Sequence, residues 1–285
     1  MNKSTQPSIK KLIDYYPILT KRSLGQNFLI DSNILKKIAN INGSLKSEIV
    51  LEIGPGPGSL TRELLETKAK KIIVVEKDSR CIKILQELKK IDPKRLEILN
   101  KDILKFNGEN ITNKKIYVIG NLPFNIATKI ITNYLLTDNW PPFFSSLTLM
   151  LQKEVAERIV ARPNTKTYGR LSVICQWRCE IKKLLEIKAS VFFPRPKVDS
   201  ILLKFIPRKN NFINTNFKVL EKVVFLAFNQ RRKMIHSSLK KVDINIINIL
   251  KDLKIDCHQR AENLTINDYC KISNKLLVKG VKTKN

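Results

Sequence analysis

Five short apolar runs, each bounded by polar residues or glycine, mark the first half of the chain: EIVLEIG (48–54), KIIVVEK (71–77), RLEILNKD (95–102), KIYVIGN (115–121) and SLTLMLQ (146–152). Runs of this length, rich in β-branched residues, predict strands buried on both faces of a sheet. Between them, SLTRELLETK (59–68), SRCIKILQELKK (79–90) and IATKIITNYLL (126–136) space their apolar residues three and four apart, which predicts helices. Strands alternating with helices imply an α/β fold, a parallel sheet covered on both faces. VFFPRPKVDSILLKFIP (191–207) carries three prolines and alternating apolar positions, the pattern of late, antiparallel strands. After Pro207 the pattern becomes helical, as in NFKVLEKVVFLAFNQRRKMIHSSLK (216–240), and no further strand-like run follows. We therefore expect two domains, 1–206 and 207–285, the second small and all-helical.

Composition narrows the functional classes. Of 285 residues 43% are apolar, enough for a sizeable core, and the formal charge is +28 from 53 Lys+Arg against 25 Asp+Glu. Two readings of that charge stand: a Lys-rich composition that is mostly solvated surface, and a polyanion partner such as nucleic acid. The five cysteines form no C-x-x-C pair, and the two histidines, His236 and His258, show no zinc-ligand spacing, so buried reduced thiols and no metal site are expected. The stretch MNKSTQPSIK lacks the apolar core of a signal peptide, and no segment approaches the roughly 20 apolar residues of a membrane span. A cytoplasmic protein with no membrane partner is the expectation.

Candidate chemistry lies at the predicted strand ends. LEIGPGPGSLTREL sets Gly54, Gly56 and Gly58 between the first strand and the first helix, where backbone N–H groups can face a ligand. The dinucleotide fingerprint G-x-G-x-x-G is absent, because Ser59 takes the place of its last glycine, and no lysine follows to make a P-loop. Glu76 ends the second strand, Asp102 follows the third and Asn121 ends the fourth; in a doubly wound sheet such positions converge on one crevice. Glu76 is placed to accept from a ribose diol and Asp102 from an adenine amine. A nucleoside without a phosphate suits this set, and S-adenosylmethionine (SAM) is the common case.

E-I-G-P-G-P-G, V-V-E-K-D, N-K-D and G-N-L-P-F, in that order, resemble the motifs of class I SAM-dependent methyltransferases, and more narrowly of the ribosomal RNA adenine N6-dimethyltransferases that act on the small subunit. KRSLGQNFLID (21–31), YGRLSV (168–173), VFFPRPKVDS (191–200) and FNQRRKMIHSSLK (228–240) continue the resemblance over nearly the whole chain. It implies a Rossmann-like methyltransferase domain followed by a small helical one, SAM as cofactor, and cofactor contacts from Asn27 and Leu29. The implied target is two adjacent adenosines in a hairpin loop near the 3′ end of 16S rRNA in the 30S particle, with a role in small-subunit biogenesis and the enzyme a monomer. One departure stands out: Phe124 occupies a position where the family usually has Tyr.

The residues of Asn121-Leu122-Pro123-Phe124 suit that chemistry on physical grounds. An adenine N6 lone pair is delocalised into the ring. Acceptors aimed at the two amine hydrogens, the Asn121 side-chain oxygen and the Leu122 carbonyl, favour a more tetrahedral nitrogen. Pro123 restricts its own φ and keeps Leu122 extended. Phe124 offers a stacking face for an extruded base, worth about 1–3 kcal/mol. In NQRRKMIHSSLKK (229–241), Arg231, Arg232, Lys233, Lys240 and Lys241 read either as a solvated helical face or as an RNA-backbone patch, and the net charge favours the second. Two other functions remain on the same core: methylation of large-subunit rRNA or DNA adenines, and a non-catalytic assembly or transcription factor. DNA enzymes of this chemistry more often carry D/N-P-P-Y, which is absent, and the intact Glu76, Asp102 and Asn121 argue against lost catalysis.

Overall fold

The computed structural model describes residues 27–111, 114–123, 126–209 and 213–278. Phe124 and all of residues 1–26 lie outside that range. The described strands are β1 (Phe28–Leu29), β2 (Ile49–Ile53), β3 (Lys71–Glu76), β4 (Leu96–Asn100), β5 (Ile116–Asn121), β6 (Phe144–Gln152), β7 (Cys179–Ile187), β8 (Phe192–Phe193) and β9 (Ser200–Pro207). The helices are α1 (Ser32–Ala39), α2 (Ser59–Leu65), α3 (Ser79–Lys89), α4 (Ala127–Leu135), α5 (Lys153–Val160), α6 (Arg170–Arg178), α7 (Phe217–Asn229), α8 (Ile235–Leu239), α9 (Ile246–Asp252) and α10 (Ile266–Val278).

Seven strands form one sheet in the order β4-β3-β2-β5-β6-β9-β7. β2, β3, β4, β5 and β6 pair in parallel, while β9 runs antiparallel to β6 from Leu147 opposite Phe205 to Gln152 opposite Ser200. The late antiparallel strand is therefore where the proline-punctuated pattern places it. β1 and β8 form a separate antiparallel pair, Phe28 opposite Phe193. The starts of α1 and α3 carry side-chain caps: Asp31 accepts from the N–H groups of Asn33 and Ile34, both at 2.9 Å, and Asp78 from that of Arg80 at 3.0 Å. Besides the two-residue β1, one long strand carries no clear apolar pattern. CEIKKLLEI (179–187) is the sheet's end strand, so most of its residues are exposed or only partly buried and its charges blur the apolar signal.

Two compact units divide the chain: Met1–Ile130 with Pro142–Lys153 and Lys182–Ile206, and Ile131–Pro141 with Glu154–Ile181 and Pro207–Asn285. The break at 206 is thus one of several crossings rather than a single boundary. The reason is packing. Tyr168, Val173, Ile174 and Trp177, on and just before α6, share one buried cluster with Val219, Leu220, Val223 and Val224 of α7 and with Tyr269 and Ile272 of α10. The sheet unit has its own core, in which Val50, Ile72, Val74 and Ile119 pack with Leu64, Leu85, Leu88 and Leu202. All five cysteines are free, and four are buried; Cys257 is the partly exposed one. Cys175 and Cys179 do not share a helical face, since Cys175 is in α6 and Cys179 begins β7. No described helix is long and apolar enough to cross a membrane.

Candidate active site

Strand order reverses direction between β2 and β5, because the chain builds outward to β3 and β4 and then returns to the other side of β2. In a parallel sheet this leaves an open crevice above the carboxyl ends of those two strands. A cavity of ≈ 470 Å³ lies there, lined by Asn27, Phe28, Leu29, Glu52, Gly54, Gly56, Glu76, Asp102, Asn121, Leu122 and Pro123, with Leu35, Ile38, Met150 and Leu202 among its apolar walls. Every sequence-predicted cofactor residue borders this one space, as do the three described members of Asn-Leu-Pro-Phe.

The glycine loop owes its shape to two close approaches. Gly56 has φ +56°, and a Cβ there would stand 2.7 Å from Cε1 of Phe28. At Gly58, with φ +84°, a Cβ would come within 2.5 Å of Cδ1 of Leu88. Only glycine meets both demands, a left-handed backbone and no side-chain volume. The loop is tied to the end of β3: Gly56 N–H donates to Oε2 of Glu76 at 3.0 Å.

The Glu76 carboxylate is already well supplied with donors, its Oε1 accepting from the N–H groups of Lys77 at 2.7 Å and Asp78 at 2.8 Å. Burial pushes its carboxyl up from the ordinary range, more strongly than these N–H bonds pull it down. Oε1 accepts two of these bonds and Oε2 only the one from Gly56, so Glu76 anchors the loop and Oε2 retains accepting capacity. Asp102 differs. Its Oδ1 accepts from Leu104 N–H at 3.0 Å, its Oδ2 from Lys77 Nζ at 2.8 Å, and Lys77 followed by the Leu104 N–H holds its carboxyl below the usual range. The Lys77 side chain is 70% exposed, so this pair is weakly held and readily shared with an incoming donor.

Asn121 closes β5 beside the glycine loop: an added Cβ at Gly54 would lie 4.0 Å from the Asn121 carbonyl and 3.9 Å from Cδ of Pro123. Its side-chain Nδ2 donates to the backbone carbonyl of Asn27 at 2.9 Å. Leu122 is buried, and the Pro123 carbonyl accepts from the N–H groups of Ile126 and of Ala127, the first residue of α4, each at 3.1 Å. Asn27 and Leu29 reach the crevice through β1, which the apolar pattern did not mark as a strand.

The sequence reading did not mark Glu52, a carboxyl that also lines the crevice. Glu52 is 2% exposed between Leu51 and Ile53, accepts from Thr61 Oγ1 at 2.7 Å, and burial raises its carboxyl to about 8. The signal was available: a carboxyl inside an apolar strand run is costly unless something uses it.

The basic segment is not helical throughout. α7 ends at Asn229 and α8 begins at Ile235, so Arg231, Arg232 and Lys233 occupy the turn between them. Arg231 is bound to the protein although its side chain is 43% exposed: its guanidinium donates to the carbonyls of Lys166 at 2.9 Å and Tyr168 at 3.1 Å and pairs with Glu262 at 2.9 Å. Arg232, Lys233, Lys240 and Lys241 are exposed.

A largely parallel sheet with a glycine loop after its first long strand, a carboxylate after the next and a late antiparallel strand is the Rossmann-like fold of class I SAM-dependent methyltransferases. Solved structures agree: a dimethyladenosine transferase from Plasmodium falciparum superposes with TM-score 0.76 at 29% identity, covering 88% of this chain and 98% of that one. The 23S rRNA methyltransferase ErmE does so with TM-score 0.64 at 25% identity, covering 87% and 99%. The family model for ribosomal RNA adenine dimethylase matches residues 19–277, and the chain belongs to that family. Relatives called ribosomal RNA small subunit methyltransferase A are 43% identical in Cereibacter sphaeroides, over 95% of this chain and 97% of theirs, and 41% identical in Dinoroseobacter shibae, over 95% and 96%.

Proposed function

We propose that this protein is a cytoplasmic, SAM-dependent 16S rRNA (adenine-N6,N6)-dimethyltransferase that modifies two adjacent adenosines in a hairpin loop near the 3′ end of the 30S particle's RNA, and so takes part in small-subunit biogenesis. The observation that carries the reading is the convergence of Glu76, Asp102 and Asn121 on one crevice over the glycine loop. That space fits the cofactor: a nucleoside without phosphates needs acceptors for its hydroxyls and amine, close backbone approach, and apolar walls. Glu76 accepts from the ribose diol, Asp102 from the adenine amine, and Gly54 and Gly56 with Asn27 and Leu29 shape the rest. When bound, SAM supplies an electrophilic methyl group on a sulfonium.

The chain's own contribution is positioning and electrostatics. The Asn27 carbonyl can only accept, so the Asn121 amide must present its nitrogen to it and its oxygen elsewhere. That oxygen and the Leu122 carbonyl accept from the target N6 hydrogens and hold its lone pair toward the methyl. No histidine lines the crevice among the described residues, and none is needed, because a methylated ammonium product is acidic enough to lose its proton to water. Phe124 supplies the stacking face that holds the extruded base. Arg232 and Lys233, with Arg231 framing their turn, contact the RNA backbone.

The test offers unmethylated 30S particles and SAM to the purified monomer, then maps methylated adenines by mass spectrometry. Paired dimethyladenosines in small-subunit RNA are expected. Their absence, or modification confined to large-subunit RNA, overturns the reading.

A further inference from the structure

Away from the crevice, the helical unit gathers three side chains with the chemistry of metal ligands. His236 lies at the start of α8, and Cys257 and His258 lie on the segment between α9 and α10. One potential ligand atom from each lies within 4.8 Å of the other two. The two imidazoles stand edge to face, with ring centroids 5.9 Å apart and planes at 74°. Two imidazoles on one tetrahedral zinc, each through a Zn–N bond of about 2.0–2.1 Å, place their centroids about 5 Å apart. His258 is exposed, so rotation of its side chain can close the difference.

Two features set this group apart from chance neighbours. The backbones that carry it are held in register: Met234 and Arg260 form an antiparallel bridge, Ile235 N–H donates to the Gln259 carbonyl at 2.6 Å, and His236 N–H to that of Cys257 at 3.4 Å. The imidazole of His236 is also oriented. Its Nδ1 lies 2.8 Å from the Cys257 carbonyl, and a carbonyl only accepts, so Nδ1 carries the proton and Nε2 presents a lone pair. An N–H donated to a backbone carbonyl is the outer bond that fixes metal-binding histidines in their ligating tautomer. The Ser237 hydroxyl, 3.0 Å from Nε2, donates to that lone pair and can turn away from it.

We propose that His236, Cys257 and His258 form a three-ligand site for a borderline-soft d10 cation, for which Zn²⁺ is the fitting case. A thiolate with two imidazoles selects such an ion over Mg²⁺ or Ca²⁺, and three protein ligands leave a fourth position for water. The bound ion clips the segment around Cys257 to the start of α8, beside the turn that carries Arg231, Arg232 and Lys233. The sequence concealed this because His236 and Cys257 lie 21 residues apart and the adjacent Cys-His pair matches no finger spacing. The site departs from the expectation of none.

The experiment uses the full-length chain without a histidine tag, stripped with chelator and titrated with Co²⁺ as a spectroscopic probe, then with Zn²⁺. Expected are a thiolate-to-cobalt charge-transfer band saturating at one equivalent, its displacement by Zn²⁺, and a rise in Tm on adding Zn²⁺. Cys257→Ser should lose the band, and His258→Ala, at an exposed position, should weaken Co²⁺ binding while leaving the metal-free Tm unchanged. Absence of a charge-transfer band in the native chain, or cobalt binding unaltered in His258→Ala, overturns the site.

Discussion

Nδ2 of Asn121 donates to the backbone carbonyl of Asn27 at 2.9 Å, joining the end of β5 to a residue 94 positions earlier. The bond decides which way the amide faces. Replacing Asn121 with Asp sets two acceptors against each other at the Asn27 carbonyl, and replacing it with Ala removes the acceptor proposed for the target amine. Both variants should lower kcat by about 10²–10³-fold, the scale of losing one well-aimed catalytic hydrogen bond. S-adenosylhomocysteine affinity of Asn121→Ala, measured by calorimetry, should change little. A variant that lost the ligand and the activity together would place Asn121 in cofactor binding instead.

Gly56 makes a second prediction. Alanine there must hold a φ of +56° and place its Cβ 2.7 Å from the Phe28 ring. The left-handed backbone alone costs roughly 1–2 kcal/mol, and the ring must move from the crevice wall besides. Gly56→Ala should lower Tm and weaken cofactor binding. Adding Phe28→Leu should restore part of the loss by relieving the clash, while the backbone strain persists. No recovery in the double variant would mean that the ring contact is unimportant.

Glu52 should leave its mark on the pH dependence of stability. Its carboxyl is raised by burial from 4.5 to about 8, so the folded protein holds a proton that the unfolded chain releases. Stability from this group is fully present below about pH 4.5 and is lost as pH rises toward 8. Glu52→Gln keeps an oxygen to accept from Thr61 and removes the titration. Thermal melts of the cofactor-free proteins should show the variant gaining on the native chain between pH 5 and 8. Parallel pH profiles would show that Glu52 is not the proton holder.

These tests separate what could be read along the chain from what needed the fold. The five parallel strands were legible because each is a short apolar run between polar stops, and Glu76, Asp102 and Asn121 were legible because strand ends in such a sheet point to one side. Glu52 lay in plain view inside a strand, but judging a carboxyl there requires knowing that both flanking faces are buried. β7 was hidden by its position at the sheet edge, where half-exposed charges erase the apolar signal. The role of α6 in the helical core was hidden for another reason: Trp177 and Val224 join one buried cluster only through packing, with no local pattern linking them. Charge runs are the least legible, since Arg231 and Arg232 are adjacent and of one type but differ in partners.

That last difference supports a paired prediction. Arg231 ties its turn to the Lys166 and Tyr168 carbonyls and to Glu262, and its guanidinium lies 6.0 Å from the Phe228 ring centroid. Arg232 and Lys233 beside it are exposed, with their charges directed to solvent. Neutralising the outer pair, Arg232→Gln with Lys233→Gln, should leave Tm unchanged and reduce the slope of log affinity against log salt for 30S RNA by about 1.5, as expected for two lost phosphate contacts. Arg231→Gln should do the reverse at first order: it strips donors from two carbonyls and leaves Glu262 unpaired, lowering Tm, with any loss of affinity following from the misplaced turn. An unchanged salt slope in the outer pair would remove this turn from the RNA surface, and an unchanged Tm in Arg231→Gln would show that its contacts within the protein contribute nothing to stability.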